Sequence, residues 1–159
     1  MFAWLNKFRK PAVKKIAFID GDQGIPQLVS AYHTHLVGTE THLVKMLREG
    51  DNEPHLLRKE HDFNKVYLRG YTVGKEVVDK FIGAYIQKAV SDGYTHITVV
   101  SNDYDFVDIF KMTAKLNPDK NLTFRMIVPC GQGRVASTKS TTNFEIVHMN
   151  QEATKPRRK

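Results

Sequence analysis

Two apolar runs in this chain end in aspartate, and a third aspartate lies on the amphipathic stretch between them. Asp20 ends Ile16-Ala17-Phe18-Ile19, and Asp103 and Asp105 follow Ile97-Thr98-Val99-Val100 after the pair Ser101-Asn102. Short, β-branched apolar runs of this kind suit strands buried on both faces of a parallel sheet. From Phe106 the apolar residues recur at helical spacing (Phe106, Ile109, Phe110, then Thr113), so Asp103-Tyr104-Asp105 marks a strand handing over to a helix. That handover lies at the carboxyl edge of a parallel sheet, where open α/β folds bind ligands. Taken alone, the tripeptide has a purely structural reading: Asp103 caps the helix and Asp105 complements its dipole.

Asp79 changes the balance. It stands three and seven residues before Ile82 and Ile86, on the apolar stripe of a helix expected over Lys75–Ser91. An acid near the start of that stripe looks across the top of the sheet, where the helix N-terminus favours its ionised form. Right-handed crossovers place the ends of both strands on one edge, with Asp79 above it. Three or four carboxylates in one place repel unless a cation neutralises them. An all-oxygen set suits Mg²⁺ or Mn²⁺. Such a site can activate water and stabilise the leaving oxygen of a phosphodiester.

The elements that must position these acids follow in chain order. Residues 1–13 form a basic arm with Trp4, Leu5 and Phe8 on one helical face, closed by Pro11. Ile16–Ile19 is the first strand, and Pro26 suits the first turn of a helix carrying Leu28, Ala31, Tyr32 and Leu36. Thr41–Leu47 reads as strand or helix, Pro54–Lys59 as a short helix, and Lys65–Leu68 as a third strand. After Ile97–Val100 and its helix, Asn117-Pro118-Asp119 is a break and Leu122–Val128 a further strand. Pro129–Gly133 reads as a loop at the carboxyl end of that strand, residues 131–143 as a polar stretch, and Phe144–Met149 as a last short strand. The alternation predicts a single α/β domain over 14–150, a central and mostly parallel sheet with helices on both faces, followed by a basic tail over 151–159.

Composition agrees with one soluble domain. The 159 residues are 41% hydrophobic and 26% charged, and no apolar run approaches the roughly 20 residues of a membrane span. No long apolar core follows the N-terminus, which argues against export. A single cysteine, Cys130, excludes an internal disulfide and suits a reducing cytoplasm. The net charge of +7 resides at the two ends. Residues 1–19 carry five cations and no acid, and Lys155, Arg157, Arg158 and Lys159 add four. Taking those nine from 24 leaves 15 basic against 17 acidic side chains in the body. Cationic ends on a nearly neutral body attract polyanions.

The residues resemble a family. Phe18-Ile19-Asp20-Gly21-Asp22, Gly74-Lys75-Glu76-Val77-Val78-Asp79 and Val99-Val100-Ser101-Asn102-Asp103-Tyr104-Asp105-Phe106 are similar to the three motifs of NYN domains, the PIN-like nucleases. The resemblance spans about 14–150, and its most specific part is the Ser-x-Asp-x-Asp-Phe string. It implies a Rossmann-like, PIN-type three-layer fold and metal-dependent ribonuclease activity. By motif position, Asp20, Asp79, Asp103 and Asp105 would bind Mg²⁺ or Mn²⁺, and Ser101 would orient them. Gln23 stands where the family usually has Asn, and Asn102 where it has Gly; both would support the carboxylates from behind. No further acid follows Asp79 in the middle motif, which points to one tightly held ion rather than two. Arg134, Lys139, Lys155, Arg157, Arg158 and Lys159 are the candidate RNA contacts, and a homo-oligomer is compatible with this reading.

Two other readings compete. One is an RNA-binding or partner-binding module that keeps the fold without turnover, although all four acids are present. The other compares Asp20-x-Asp22 with haloacid-dehalogenase-like phosphatases, but Gln23-Gly24 stands where Gly-Thr would be expected. The seven histidines form no i,i+4 pair and have no cysteine partner at zinc spacing. No glycine-rich nucleotide fingerprint follows the first strand.

Overall fold

The computed structural model describes residues 13–21, 35–47, 65–70 and 77–149, with side chains described over 13–21, 35–44 and 80–149. The strands are β1 (Lys15–Asp20), β2 (Glu40–Leu47), β3 (Lys65–Gly70), β4 (His96–Val100), β5 (Thr123–Val128) and β6 (Phe144–His148). The helices are α1 (Val77–Ser91), α2 (Asp105–Leu116) and the one-turn α3 (Gly133–Ala136). All neighbouring strands pair in parallel, in the order β3-β2-β1-β4-β5-β6. This is the doubly wound order, in which the chain leaves β1 in one direction and β4 in the other. The architecture is a three-layer α/β fold. Among the described residues no helix is long and apolar enough to cross a membrane.

Alternation along the central strands splits the core into two. Ile16 and Phe18 of β1, Ile97 and Val99 of β4, and Phe124, Met126 and Val128 of β5 face α1 and α2. There they meet Ile82, Ile86, Ala89 and Val90 of α1 and Phe106, Val107 and Phe110 of α2. The intervening Ala17, Ile19, Leu43, Val100 and Ile127 face the other way and pack with Leu36. Burial on both faces is the reason β1 and β4 are continuous apolar runs instead of alternating ones.

Thr41–Leu47, for which strand and helix both stood open, is strand β2. Gly38, at φ +86°, and the bond from Thr39 N–H to the Leu36 carbonyl (2.8 Å) close the preceding turn just before it begins. The polar stretch 131–143, read as loop up to Gly133 and given no element beyond it, contains α3, because Val135 inside that turn is 2% exposed and anchors it to the core. Residues 138–141 then run back along the outer edge of β6. Thr141 and Phe144 exchange backbone bonds of 2.8 and 3.1 Å, and Ile146 N–H donates to Ser140 Oγ. The edge strand is thereby covered, which protects it from pairing with another chain. The N-terminal arm, the helix expected from Pro26, the short helix at 54–59 and the C-terminal tail lie outside the described residues, apart from the turn at Leu36.

The amino edge of the sheet is closed by a polar chain. Tyr94, between α1 and β4, donates its hydroxyl to Glu40 Oε1 at 2.6 Å, and His42 Nε2 lies 2.7 Å from Glu40 Oε2. The hydrogen bond to Glu40, then burial, then the Glu40 charge push the Tyr94 phenol up to about 12 from its usual 10.0. A pKa raised on folding gives stability that is intact below pH 10.0 and lost as the pH climbs through about 12. Tyr94→Phe should therefore abolish the part of the alkaline destabilisation that tracks tyrosinate absorbance in this interval. An identical alkaline limb in the two proteins, followed by urea unfolding at each pH, would rule this out.

Candidate metal centre

The site is assembled at the strand ends where the doubly wound sheet changes direction. Ile19 of β1 pairs with Val100 of β4, so Asp20 and Ser101 follow at adjacent positions on the carboxyl edge. Asp20 is 3% exposed and Ser101 is fully buried. A carboxylate withdrawn from water in this way needs hydrogen-bond donors. Ser101 supplies one: its hydroxyl donates to Asp20 Oδ2 at 2.8 Å. The same oxygen accepts the backbone N–H of Asp103 at 3.1 Å. One hydroxyl thus uses its donor on the end of β1 and a lone pair on the start of the next loop. Asp20, Ser101 and Asp103 form one hydrogen-bonded chain across the gap between two strands.

Asp103 also starts α2. Its Oδ1 accepts the N–H of Asp105 at 2.9 Å, meeting one of the amides that a helix start leaves without an internal partner. Asp105 is the first residue of α2 and its side chain is exposed. The Asp103 carboxylate that the sequence offers for chemistry thus also has a structural role at the start of α2. Asp79 lies in the first turn of α1, with its side chain outside the described set. Ile82 and Ile86, on the same stripe, are fully buried, so the helical position of Asp79 belongs to the sheet-facing side. The last turn of α1 reaches the amino edge, where Lys14 Nζ donates to the carbonyl of Asp92 (3.2 Å). Its first turn is thus at the carboxyl edge, over the ends of β1 and β4.

The donors brought to this edge are carboxylate and hydroxyl oxygens, the chemistry that a hard divalent cation selects. Asp20 and Asp103 are the two described acids that the Ser101 hydroxyl links. Among the described residues no three His, Cys, Asp or Glu side chains form a metal-holding group. Completion of such a set within the sequence's candidates falls to Asp79. Gln23 lies outside the described residues.

The supporting contacts are specific. Asn102 Oδ1 accepts the N–H of Cys130 at 2.7 Å, which ties the loop after β4 to the loop after β5. That second loop turns tightly: a Cβ on Gly131 would stand 2.7 Å from Val128 Cγ1, so glycine is required by close approach. Arg134 follows in α3, and its Cζ lies 3.8 Å from the centre of the Tyr104 ring. Tyr104 was not among the site residues expected from sequence, although its place between two aspartates at the rim is a visible signal. Lys139 is exposed on the segment that returns along β6. Lys155, Arg157, Arg158 and Lys159 lie outside the described residues.

Ser101→Ala tests the link directly. It removes one donor from a buried carboxylate and frees the Asp103 amide. The loss should be about 1.5–3 kcal/mol of unfolding free energy, the range for a hydrogen bond to a charged group. Urea unfolding indistinguishable from wild type would show that the hydroxyl does not hold Asp20. The chain matches no protein-family model and no curated protein sequence, so any functional assignment falls to the residues of this edge.

Proposed function

We propose that the chain is a Mg²⁺- or Mn²⁺-dependent ribonuclease of the NYN, PIN-like type, acting in a reducing cytoplasm. The observation that supports this most is the Asp20–Ser101–Asp103 chain, seated between β1 and β4 where the sheet order reverses. Doubly wound sheets bind their ligands at this position. Asp20, Asp79 and Asp103 would hold the ion, and Asp105, exposed at the start of α2, would position water. When bound, the ion supplies a Lewis acid that lowers the pKa of water and offsets phosphate charge. Ser101 keeps the Asp20 carboxylate oriented and withdrawn from solvent. Asn102 steadies the loop that carries Asp103 through its bond to Cys130. Arg134, Lys139 and the cationic ends hold the RNA backbone over this acidic centre, with the exposed thiol of Cys130 suited to a reducing compartment.

The test is incubation of the pure chain with labelled single-stranded RNA, with Mn²⁺ or with EDTA. Cleavage in Mn²⁺ that EDTA stops is the expected result. RNA bound but left intact in Mn²⁺ would replace this reading with that of a binding module. One observation favours the module: Asp103 Oδ1 already accepts the Asp105 amide, as an ordinary cap would.

A further inference from the structure

Tyr104 and Arg134 come from different loops and meet beside the acids. Arg134 Cζ stands 3.8 Å from the Tyr104 ring centre, close enough for strong attraction between a cation and an aromatic face. The ring is half-buried and packs against the core beneath α1 and α2. Its position is thus set by packing, and Arg134 rests on its outer side.

The guanidinium is exposed, and among the described residues no carboxylate pairs with it. Two aspartates flank the tyrosine beneath it, and a flexible arginine there would be expected to fold onto one of them. Stacking occupies one face of the guanidinium and leaves its planar fork of N–H donors unspent. That fork matches two oxygens of a phosphate.

The backbone beneath Arg134 is also held. Ser137 Oγ and Thr138 Oγ1 both donate to its carbonyl, at 3.1 and 2.9 Å. Val135 is buried beside it, and the Asn102–Cys130 bond joins its loop to the one that carries Tyr104. The stack therefore has rigid supports on both sides.

We propose that Tyr104 is a positioning residue that holds Arg134 as a clamp for an RNA phosphate next to the acidic centre. The proposal rests on the ribonuclease reading for the identity of the polyanion. The ring keeps the cation from collapsing onto Asp103 or Asp105, so its donors stay open to the backbone of the incoming strand. A phosphate held there lies within a residue or two of the acids, where a metal ion would share its charge.

The test is binding of labelled single-stranded RNA in EDTA, followed by fluorescence anisotropy over a range of salt concentrations. Arg134→Ala should weaken binding about tenfold and lower the slope of log affinity against log salt by about 0.7, the value for one phosphate on a single strand. Tyr104→Leu keeps apolar packing but removes the aromatic face, and it should reproduce both effects. Tyr104→Phe should retain most of the wild-type affinity and slope. The double variant Tyr104→Leu, Arg134→Ala should bind no more weakly than Arg134→Ala, since the tyrosine acts through the arginine.

A wild-type slope in Tyr104→Leu, with circular dichroism showing an intact fold, would overturn the clamp. So would strictly additive losses in the double variant, or a wild-type chain that does not bind RNA in EDTA. Cleavage in Mn²⁺ with an unchanged Tyr104→Leu slope would leave the ribonuclease standing and remove the clamp. Binding with the expected slopes but no cleavage would do the reverse.

Discussion

Asp103→Asn should lower Mn²⁺-dependent RNA cleavage by more than about 100-fold, beyond the 10–100-fold range typical of contacts that only orient a metal ligand. The fold should be spared. The asparagine side chain keeps a carbonyl oxygen where Asp103 Oδ1 now accepts the Asp105 amide, so α2 retains its start. The backbone N–H that reaches Ser101 Oγ is untouched. What disappears is the negative charge. In EDTA the variant should be as stable as wild type or more so, because one of the like charges at the strand ends is gone. Asp103→Ala separates the two roles, since it should lose the cap as well, at a cost of about 1 kcal/mol. Cleavage at wild-type rates by Asp103→Asn, prepared to equal purity, would refute the assignment of this carboxylate.

The parts of this fold that could be read from sequence are those in which local and tertiary forces agree. β1 and β4 are apolar runs because both faces of the sheet are covered, and their shortness, β-branched residues and flanking turn signals mark them as strands. α1 is legible because Ile82, Ile86 and Val90 recur on one stripe. β2 was ambiguous because Thr41-His42-Leu43-Val44 is uniformly buried, polar residues included, so its pattern does not alternate in hydrophobicity. α3 was missed because a single buried valine fixes one helical turn in a polar stretch, and one residue has no period.

The site divides in the same way. That Asp20 and Asp103 share an edge follows from strand order and handedness. That the Ser101 hydroxyl joins them depends on the register of Ile19 with Val100, which no local pattern encodes. The resemblance to NYN motifs pointed to Ser101, and the hydrogen bond to Asp20 gives the physical reason. The contact between Tyr104 and Arg134 crosses two loops and is tertiary throughout. Asn102, at the position where the NYN motifs that this chain resembles usually carry glycine, uses its side chain to hold Cys130, which tethers those loops to one another.

The second large effect needs no catalysis to read it. A ligand that binds the folded chain and not the unfolded one stabilises it by mass action, by about 2.7 kcal/mol at a free concentration 100 times its dissociation constant. For a chain of this size that raises Tm by roughly 5–11 °C. Mn²⁺ should produce such a rise in the wild-type chain, increasing with the logarithm of its concentration, and EDTA should reverse it. Asp20→Asn should remove most of the rise. Its side-chain oxygen can still accept from Ser101, so packing at the end of β1 is preserved while the buried charge that an ion would neutralise is lost. The unfolded chain also carries carboxylates and histidines, but separated in space they bind Mn²⁺ weakly and alike in both proteins. A wild-type Tm unmoved by millimolar-range Mn²⁺ and Mg²⁺ would dismiss the metal centre at this edge. A rise equal in wild type and Asp20→Asn would mean that the ion binds elsewhere, because among the described acids of the proposed set Asp20 is the one withdrawn almost completely from water.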